Sequence, residues 1–451
     1  MKKILKTVFL LASVFILSGY VKSENSAESR EKPAFAAGQN EASQSDASVQ
    51  FALAFVHYVK RDYAQAVQWF EKAANQGHAD AQFNLGAMYY SGQGVKRDSV
   101  LARQWFEKAA NQGHAQAQFN MGWLNRHEES AEPDYVQAMQ WYEKAANQGA
   151  ANAQYDLGWM YYHGKGVKPD YVLARQWYEK AANQGLAVAQ HDLATLYYTG
   201  QGVKTDYVFA REWLEKAAKQ GYAPAQYNLG WMYTHGEGGE QDYVQAMQWS
   251  EKAADQGFAL AQFHMGWLYY HGKGVKPDYA LAKQWYEKAA NQGLAVAQHD
   301  LGWMYYSGRG VKRDYVLARQ WFEKGAAQGN ADAQYALGVT YYHGEGVDAD
   351  SLVARQWFEK AANQGLASAQ YSLGVMYYTG QDVKKDYVQA AKWYEKAANQ
   401  GFAASQSNLA WMYYHGEGVI SDREKACGLW RLSAQQFFGN AIANYSQFCS
   451  D

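Results

Sequence analysis

Cysteine is almost missing from this chain: among 451 residues only Cys427 and Cys449 occur. They are too far apart for a C-x-x-C motif, so a short-spaced thiolate zinc or redox site is excluded. Neither H-E-x-x-H nor G-x-x-x-x-G-K-[ST] is present, which removes the helical metalloprotease signature and the phosphate-cradling loop. The one S-x-x-K match, Ser29 to Lys32, lies in a stretch without apolar periodicity, whereas a catalytic serine needs a rigid, preorganised site. Basic excess is also lacking. The net charge is −2, so nothing advertises a nucleic-acid partner. The apolar run at the N-terminus, Val8 to Leu17, is shorter than the ~20 residues that span a bilayer, and no transmembrane segment is expected.

That run still carries information. Lys2, Lys3 and Lys6 precede it, and Ser18 and Gly19 follow, which is the pattern of a secretory signal peptide over residues 1–23. Leu17-Ser18-Gly19 is similar to a bacterial lipobox, but Tyr20 stands where the lipidated cysteine must be. Cleavage near Ser23 and release of a periplasmic or secreted protein are expected. Cleavage removes four lysines from a net charge of −2 and leaves −6. Residues 24–48, rich in Ser, Ala, Glu and Gln, are expected to form a disordered tether, because they bury too little to offset ordering entropy.

What the chain has in abundance is repetition. An anchor glycine returns every 36 residues at Gly77, Gly113, Gly149, Gly185, Gly221, Gly257, Gly293, Gly329, Gly365 and Gly401, with no insertion or deletion. A fixed period of this size marks a solenoid, in which each unit stacks on its neighbours. The predicted fold is all-α: ten 36-residue helix-turn-helix units over residues 63–421, an N-terminal half unit at 49–62 and a C-terminal cap at 422–451.

The unit 79–114 shows how one repeat is built. A first helix from about Asp80 to Ser91 ends at Gly92 and Gly94, since glycine tolerates the left-handed conformation. The second helix starts after Asp98, one of eleven aspartates at this position, from Asp62 to Asp422. A catalytic column is the sharper reading, but capping of the exposed backbone N–H groups explains all eleven. Within the second helix, Ala102, Trp105, Phe106, Ala109 and Ala110 form an apolar stripe at helical period. The invariant Trp69, Trp105, Trp141, Trp177, Trp213, Trp249, Trp285, Trp321, Trp357 and Trp393 are read as the core, packed against the alanines. At the C-terminus, Leu429 takes the Trp place and Phe437 the place of the anchor Gly.

At LGAMYY (85–90), GQGV (92–95) and ARQWFEKAANQG (102–113) the unit resembles the Sel-one-like repeats, relatives of tetratricopeptide repeats, over residues 49–451. The resemblance implies a right-handed superhelix of antiparallel helix pairs, with the first helix of each pair lining a concave face. By the same analogy three columns point into the groove. After the Leu-Gly pair come Trp123, Trp159, Trp231, Trp267, Trp303 and Trp411, with Ala87, Thr195, Val339 and Val375 at the other units. Two residues before the Leu come Tyr155, Tyr227, Phe263, Tyr335 and Tyr371, and the second Tyr gives Tyr162, Tyr198, Tyr270, Tyr306, Tyr342 and Tyr378. Variation among Trp, Val, Thr and Ala is what a surface tolerates and a packed core resists. The same columns would equally fill a tightly wound superhelix. The cysteine-rich branch of the family has been linked to β-lactam and peptidoglycan chemistry, and this chain lacks those per-repeat cysteines.

These residues imply a non-catalytic extracytoplasmic scaffold, without cofactor or metal, that holds a protein or peptide partner in an aromatic groove. The alternatives are a glycan- or peptidoglycan-binding protein and, further off, an envelope hydrolase. His127, His163, His235, His271, His343 and His415 end first helices and suit the negative helix terminus; at about one helix diameter apart they cannot share one ion. The loop residues Lys96, Lys168, Lys204, Lys276, Lys312 and Lys384 form a basic edge that solubility explains. Residues 163–193 and 271–301 differ only at Val172/Ala280 and Arg175/Lys283, the mark of internal duplication. In repeat register Cys427 and Cys449 align with Ala391 and Tyr413, on either side of a turn, so a disulfide pinning the C-terminal cap is expected.

Overall fold

The computed structural model describes residues 45–127, 132–381 and 383–449. The expected signal peptide and all of the expected tether up to residue 44 lie outside them. Among the described residues there are 23 helices and no strands. The first helix runs Ala47–Val59, capped by Asp46, and so takes in the last two residues, 47 and 48, of the expected tether. The chain divides into two units, 1–241 and 242–451, and each is a stack of helix pairs.

Local chemistry sets every boundary. In the unit 79–114 the helices are Ala79–Ser91 and Ser99–Asn111. Gly92 takes φ 74° as the left-handed C-cap, and Gly113 takes φ 92° before the next unit. Asp98 Oδ1 accepts the Leu101 N–H at 2.9 Å, and all eleven aspartates cap their helices in this way.

The core differs from expectation by one residue. The buried ring is the one after the Trp: Phe70, Phe106, Tyr142, Tyr178, Tyr286, Phe322, Phe358 and Tyr394 are at most 3 % exposed. From Phe106 on, each lies against the glycine of its own pair, Gly86 for Phe106 and Gly374 for Tyr394 at the two ends of the series; the first helix has no glycine. A Cβ on Gly158 would sit 2.6 Å from the Tyr178 ring, and one on Gly302 would sit 2.7 Å from Phe322. Glycine is required there by close approach rather than by φ. Where Leu214 replaces the ring, the glycine becomes Ala194, and both are fully buried. The Trp column is half-buried at most positions, with only Trp141 and Trp213 below a tenth exposed. Each of the ten tryptophans is roofed by the lysine three residues later, its Nζ 3.7–4.0 Å from the ring centroid. Positions i+3 and i+4 of the stripe both turn inward, but only the second points at the partner helix. The first lies at the seam, where a cation covers it.

A polar element joins successive pairs within each unit. Gln118, 5 % exposed, donates to the Ala110 carbonyl at 3.0 Å and accepts from Gln148 Nε2 at 2.7 Å. The same rung recurs at Gln154–Gln184, Gln190–Gln220, Gln298–Gln328, Gln334–Gln364 and Gln370–Gln400, at 2.7–2.8 Å. A buried amide with donor and acceptor both met costs little and fixes the register of one pair on the next.

At the C-terminus, helices Arg423–Ala434 and Gly439–Phe448 are joined by the Cys427–Cys449 disulfide, as the register predicted. Trp430 fills the ring position at 0 % exposure, and Phe437 keeps the positive φ of the glycine it replaces.

Candidate functional site

In six repeats the second Tyr of the first helix reaches the loop of the following pair, 39 residues on. Tyr162 donates to Gln201 at 2.8 Å, Tyr198 to Glu237 at 2.9 Å, Tyr306 to Glu345 at 2.5 Å, Tyr342 to Gln381 at 2.7 Å and Tyr378 to Glu417 at 2.9 Å. At Tyr270 the phenol instead accepts from Arg309 at 2.9 Å. These hydroxyls staple neighbouring pairs. Burial and the facing carboxylates push the Tyr198 and Tyr306 phenols well up, and Tyr378 up to about 12, so all donate at neutral pH.

The column two residues before the Leu packs inward. Phe263 lies 5.5 Å from Tyr286, Tyr335 5.5 Å from Phe358 and Tyr371 5.9 Å from Tyr394. Tyr227 is only 6 % exposed and offers no surface. Tyr155 stacks on Tyr178 and donates to Asp192 at 3.0 Å. Asp192 bonds His191 at 2.8 Å, and His191 meets Asn228 at 2.9 Å, a buried polar cluster internal to the first unit.

The tryptophans after the glycine include the one exposed aromatic of the three columns, Trp303, and they explain the histidines. Trp123, Trp159, Trp231, Trp267 and Trp411 each pack on the histidine four residues later, centroids 4.1–4.8 Å apart. Arg126 also lies over the Trp159 ring at 3.7 Å and pairs with Asp156 at 2.9 Å. Burial raises the Asp156 carboxyl from 3.8 to about 6, against the lowering effect of Arg126. Trp303 is the exception. Ser307 replaces its histidine, the indole stacks on Tyr306 at 5.1 Å and 15°, and it is 44 % exposed.

Among the remaining polar groups of the described residues, one approach has the spacing of a nucleophile and its base. Ser250 and His264 approach to 2.8 Å, a nucleophile–base distance, but at 0 % and 2 % exposure they fill the space left where a serine occupies the ring position. Among the described residues no group of three or more His, Cys, Asp or Glu could hold a metal, and no helix is long and apolar enough to cross a membrane.

Two features escaped sequence reasoning. The residue two after eight of the eleven capping Asp forms an exposed aliphatic column: Val100, Val136, Val172, Val208, Val244, Val316, Leu352 and Val388 are 47–66 % exposed. Its signal was an apolar residue out of phase with the helical stripe. The second is an open cavity of about 590 Å³ in the second unit, between the start of helix Tyr279–Asn291 and the loop before helix Tyr315–Ala327.

Comparison with known proteins is consistent along the chain. The family model "Sel1 repeat" matches eleven segments from 50–78 to 403–436. The crystal structure of c5321, a protective antigen present in uropathogenic Escherichia coli strains displaying an SLR fold, is 35 % identical. It covers 90 % of this chain and 88 % of its own, with a TM-score of 0.78. A Sel1 repeat protein from Oxalobacter formigenes is 36 % identical over 68 % of this chain and 89 % of its own, with a TM-score of 0.54. Among curated proteins none matches.

Proposed function

The chain belongs to the Sel1 repeat family, whose repeats generally mediate protein–protein interaction, and from that premise we propose an exported, non-catalytic scaffold that holds a protein partner on its first-helix face around Trp303 and Tyr306. The observation that carries this reading is the exposed Trp303. Every other tryptophan of its column is covered by a histidine, and this one presents an uncovered indole already fixed by its stack on Tyr306. A rigid, half-exposed Trp–Tyr pair is the usual composition of an interaction hot spot. The rest of the expected groove serves the fold: Tyr162, Tyr198, Tyr342 and Tyr378 are stapled to loops, and Tyr227 is buried.

Export is supported by the basic, apolar and small residues of positions 1–23 and by the disulfide, which persists in oxidising compartments. It also accords with the description of c5321 as a protective antigen. Mass spectrometry of the protein from its native host should give an N-terminus near Glu24 without lipid; a chain starting at Met1 would refute export.

For the binding face, the test is capture of partners from envelope extracts by the full chain and by Trp303→Ala. The expected result is loss of the captured protein with an unchanged melting curve. Retention by the variant would move the working surface elsewhere. Co-sedimentation with purified cell-wall sacculi, lost in the same variant, would instead assign the Trp–Tyr pair to a glycan.

A further inference from the structure

The cavity in the second unit has a built-in control. Residues 163–193 and 271–301 differ at only two positions, and both, Ala280 and Lys283, line the cavity. At the matching place 108 residues earlier stand Val172 and Arg175. Two further lining residues differ between the copies: Leu317 takes the place of Phe209, and Arg313 that of Thr205. In the first unit Phe209 closes on Tyr197 with centroids 4.5 Å apart. In the second, the shorter Leu317 and the smaller Ala280 line the cavity beside Tyr305, and Arg313 adds a cation at the rim. The changes act together: two remove volume and one adds positive charge.

Charge follows the same direction. Lys283, Lys312 and Arg313 line the cavity, and Lys273, Lys276 and Arg309 lie on the two loops that flank the helix. The carboxylates nearby are engaged. Asp278 and Asp314 each accept a helix N–H at 2.9 Å, and Glu287 pairs with Lys283 at 2.7 Å. Lys312 and Arg313 are exposed, and Arg313 donates to the Tyr315 hydroxyl at 3.3 Å rather than to a carboxylate.

We propose that this cavity is a docking point for the acidic side chains of a partner protein segment. A volume of about 590 Å³ exceeds what a single inorganic anion fills and suits two or three side chains. The rim supplies Lys312 and Arg313, Tyr305 and Gln284 supply polar contacts, Ala280 and Leu317 supply an apolar floor, and the one lining carboxylate, Asp314, is turned to the Leu317 N–H. The site lies on the loop edge of the second helices, and it stands whether or not the Trp303 face binds a partner.

The test uses the full chain and labelled hexaglutamate, with hexaglutamine, hexalysine and inorganic phosphate as controls. The decisive variant carries Ala280→Val, Lys283→Arg, Arg313→Thr and Leu317→Phe, residues this chain already accommodates 108 positions earlier. Hexaglutamate should bind, bind more weakly as salt rises, and lose at least about tenfold in affinity in the variant, the loss of roughly one charge-assisted hydrogen bond. If the fourfold variant melts early, Arg313→Thr alone, at an exposed position, should show a loss in the same direction. Equal affinity in either folded variant, equal binding of hexaglutamine, no binding of hexaglutamate, or phosphate displacing the peptide at matched concentration would each overturn the assignment.

Discussion

Introducing a single methyl group at Gly158 tests whether the ring-on-glycine contact organises each helix pair. The new Cβ would lie 2.6 and 2.7 Å from two carbons of the Tyr178 ring and 3.2 Å from the Ala174 carbonyl. Ordinary contact begins near 3.4 Å, so the helices must separate by most of an ångström or the ring must turn. Tyr178 is 3 % exposed and has nowhere to turn. Overpacking of this kind costs about 1–3 kcal/mol. Tyr178→Leu alone also destabilises, by about 1–3 kcal/mol, through lost burial and a cavity. The pair Ala194 and Leu214 shows that the two changes fit together, since both are fully buried in the next helix pair. Gly158→Ala with Tyr178→Leu should therefore cost less than the sum of the single changes by about 1–2 kcal/mol. Urea denaturation followed by far-ultraviolet circular dichroism gives all four corners of the cycle. Additivity within about 0.5 kcal/mol, or a neutral Gly158→Ala, would refute the contact as the organising element.

Further outcomes follow from the same packing. Tyr286→Ala should cost about 3–5 kcal/mol, whereas its neighbour Trp285→Ala, half-buried under Lys288, should cost about 1–2; the reverse order in denaturant midpoints would return the core to the Trp column. Reduction, or Cys427→Ser with Cys449→Ser, should destabilise the last helix pair by about 3 kcal/mol, and thiol titration of the native protein should find no free sulfhydryl. Asp156 titrates near 6 in the folded chain against 3.8 unfolded, so the folded state retains a proton between those values and its contribution to stability falls as pH rises through them. Asp156→Asn should flatten that slope in denaturation series from pH 4 to 7; a wild-type stability that rises relative to the variant over the same range would contradict the assignment.

Much of the fold was legible because a 36-residue period repeats its own evidence. The helix starts after Asp98 and its counterparts, the glycine stops and the Cys427–Cys449 pairing all follow from local rules that depend on one or two residues. The choice between Trp105 and Phe106 as the core ring did not. Both lie on the apolar stripe of one helix, and only the tilt of the partner helix, set by Gly86, decides which points inward. The candidate groove was legible as a set of columns but not as a surface. Whether Tyr162 meets solvent depends on Gln201, 39 residues away, and Trp303 stands open because position 307 is Ser rather than His. The glutamine rungs were hidden because a polar residue beside an alanine stripe reads as solvent-facing until its partners are seen.

Those rungs bear on how such a gene can change. Each links glutamines 30 residues apart, and every pair contributes one amide of each kind. Adding or deleting a whole number of 36-codon units by unequal crossing-over therefore leaves these rungs with chemically equivalent partners. A slip of one codon within a pair does not, because it shifts the glutamines off their rungs. The near-identity of residues 163–193 and 271–301, three units apart, is the outcome that this tolerance permits. Copy number is the cheap variable in this protein, and the identity of a few side chains on one copy, such as Arg313 and Leu317, is where a duplicated unit can acquire a different task.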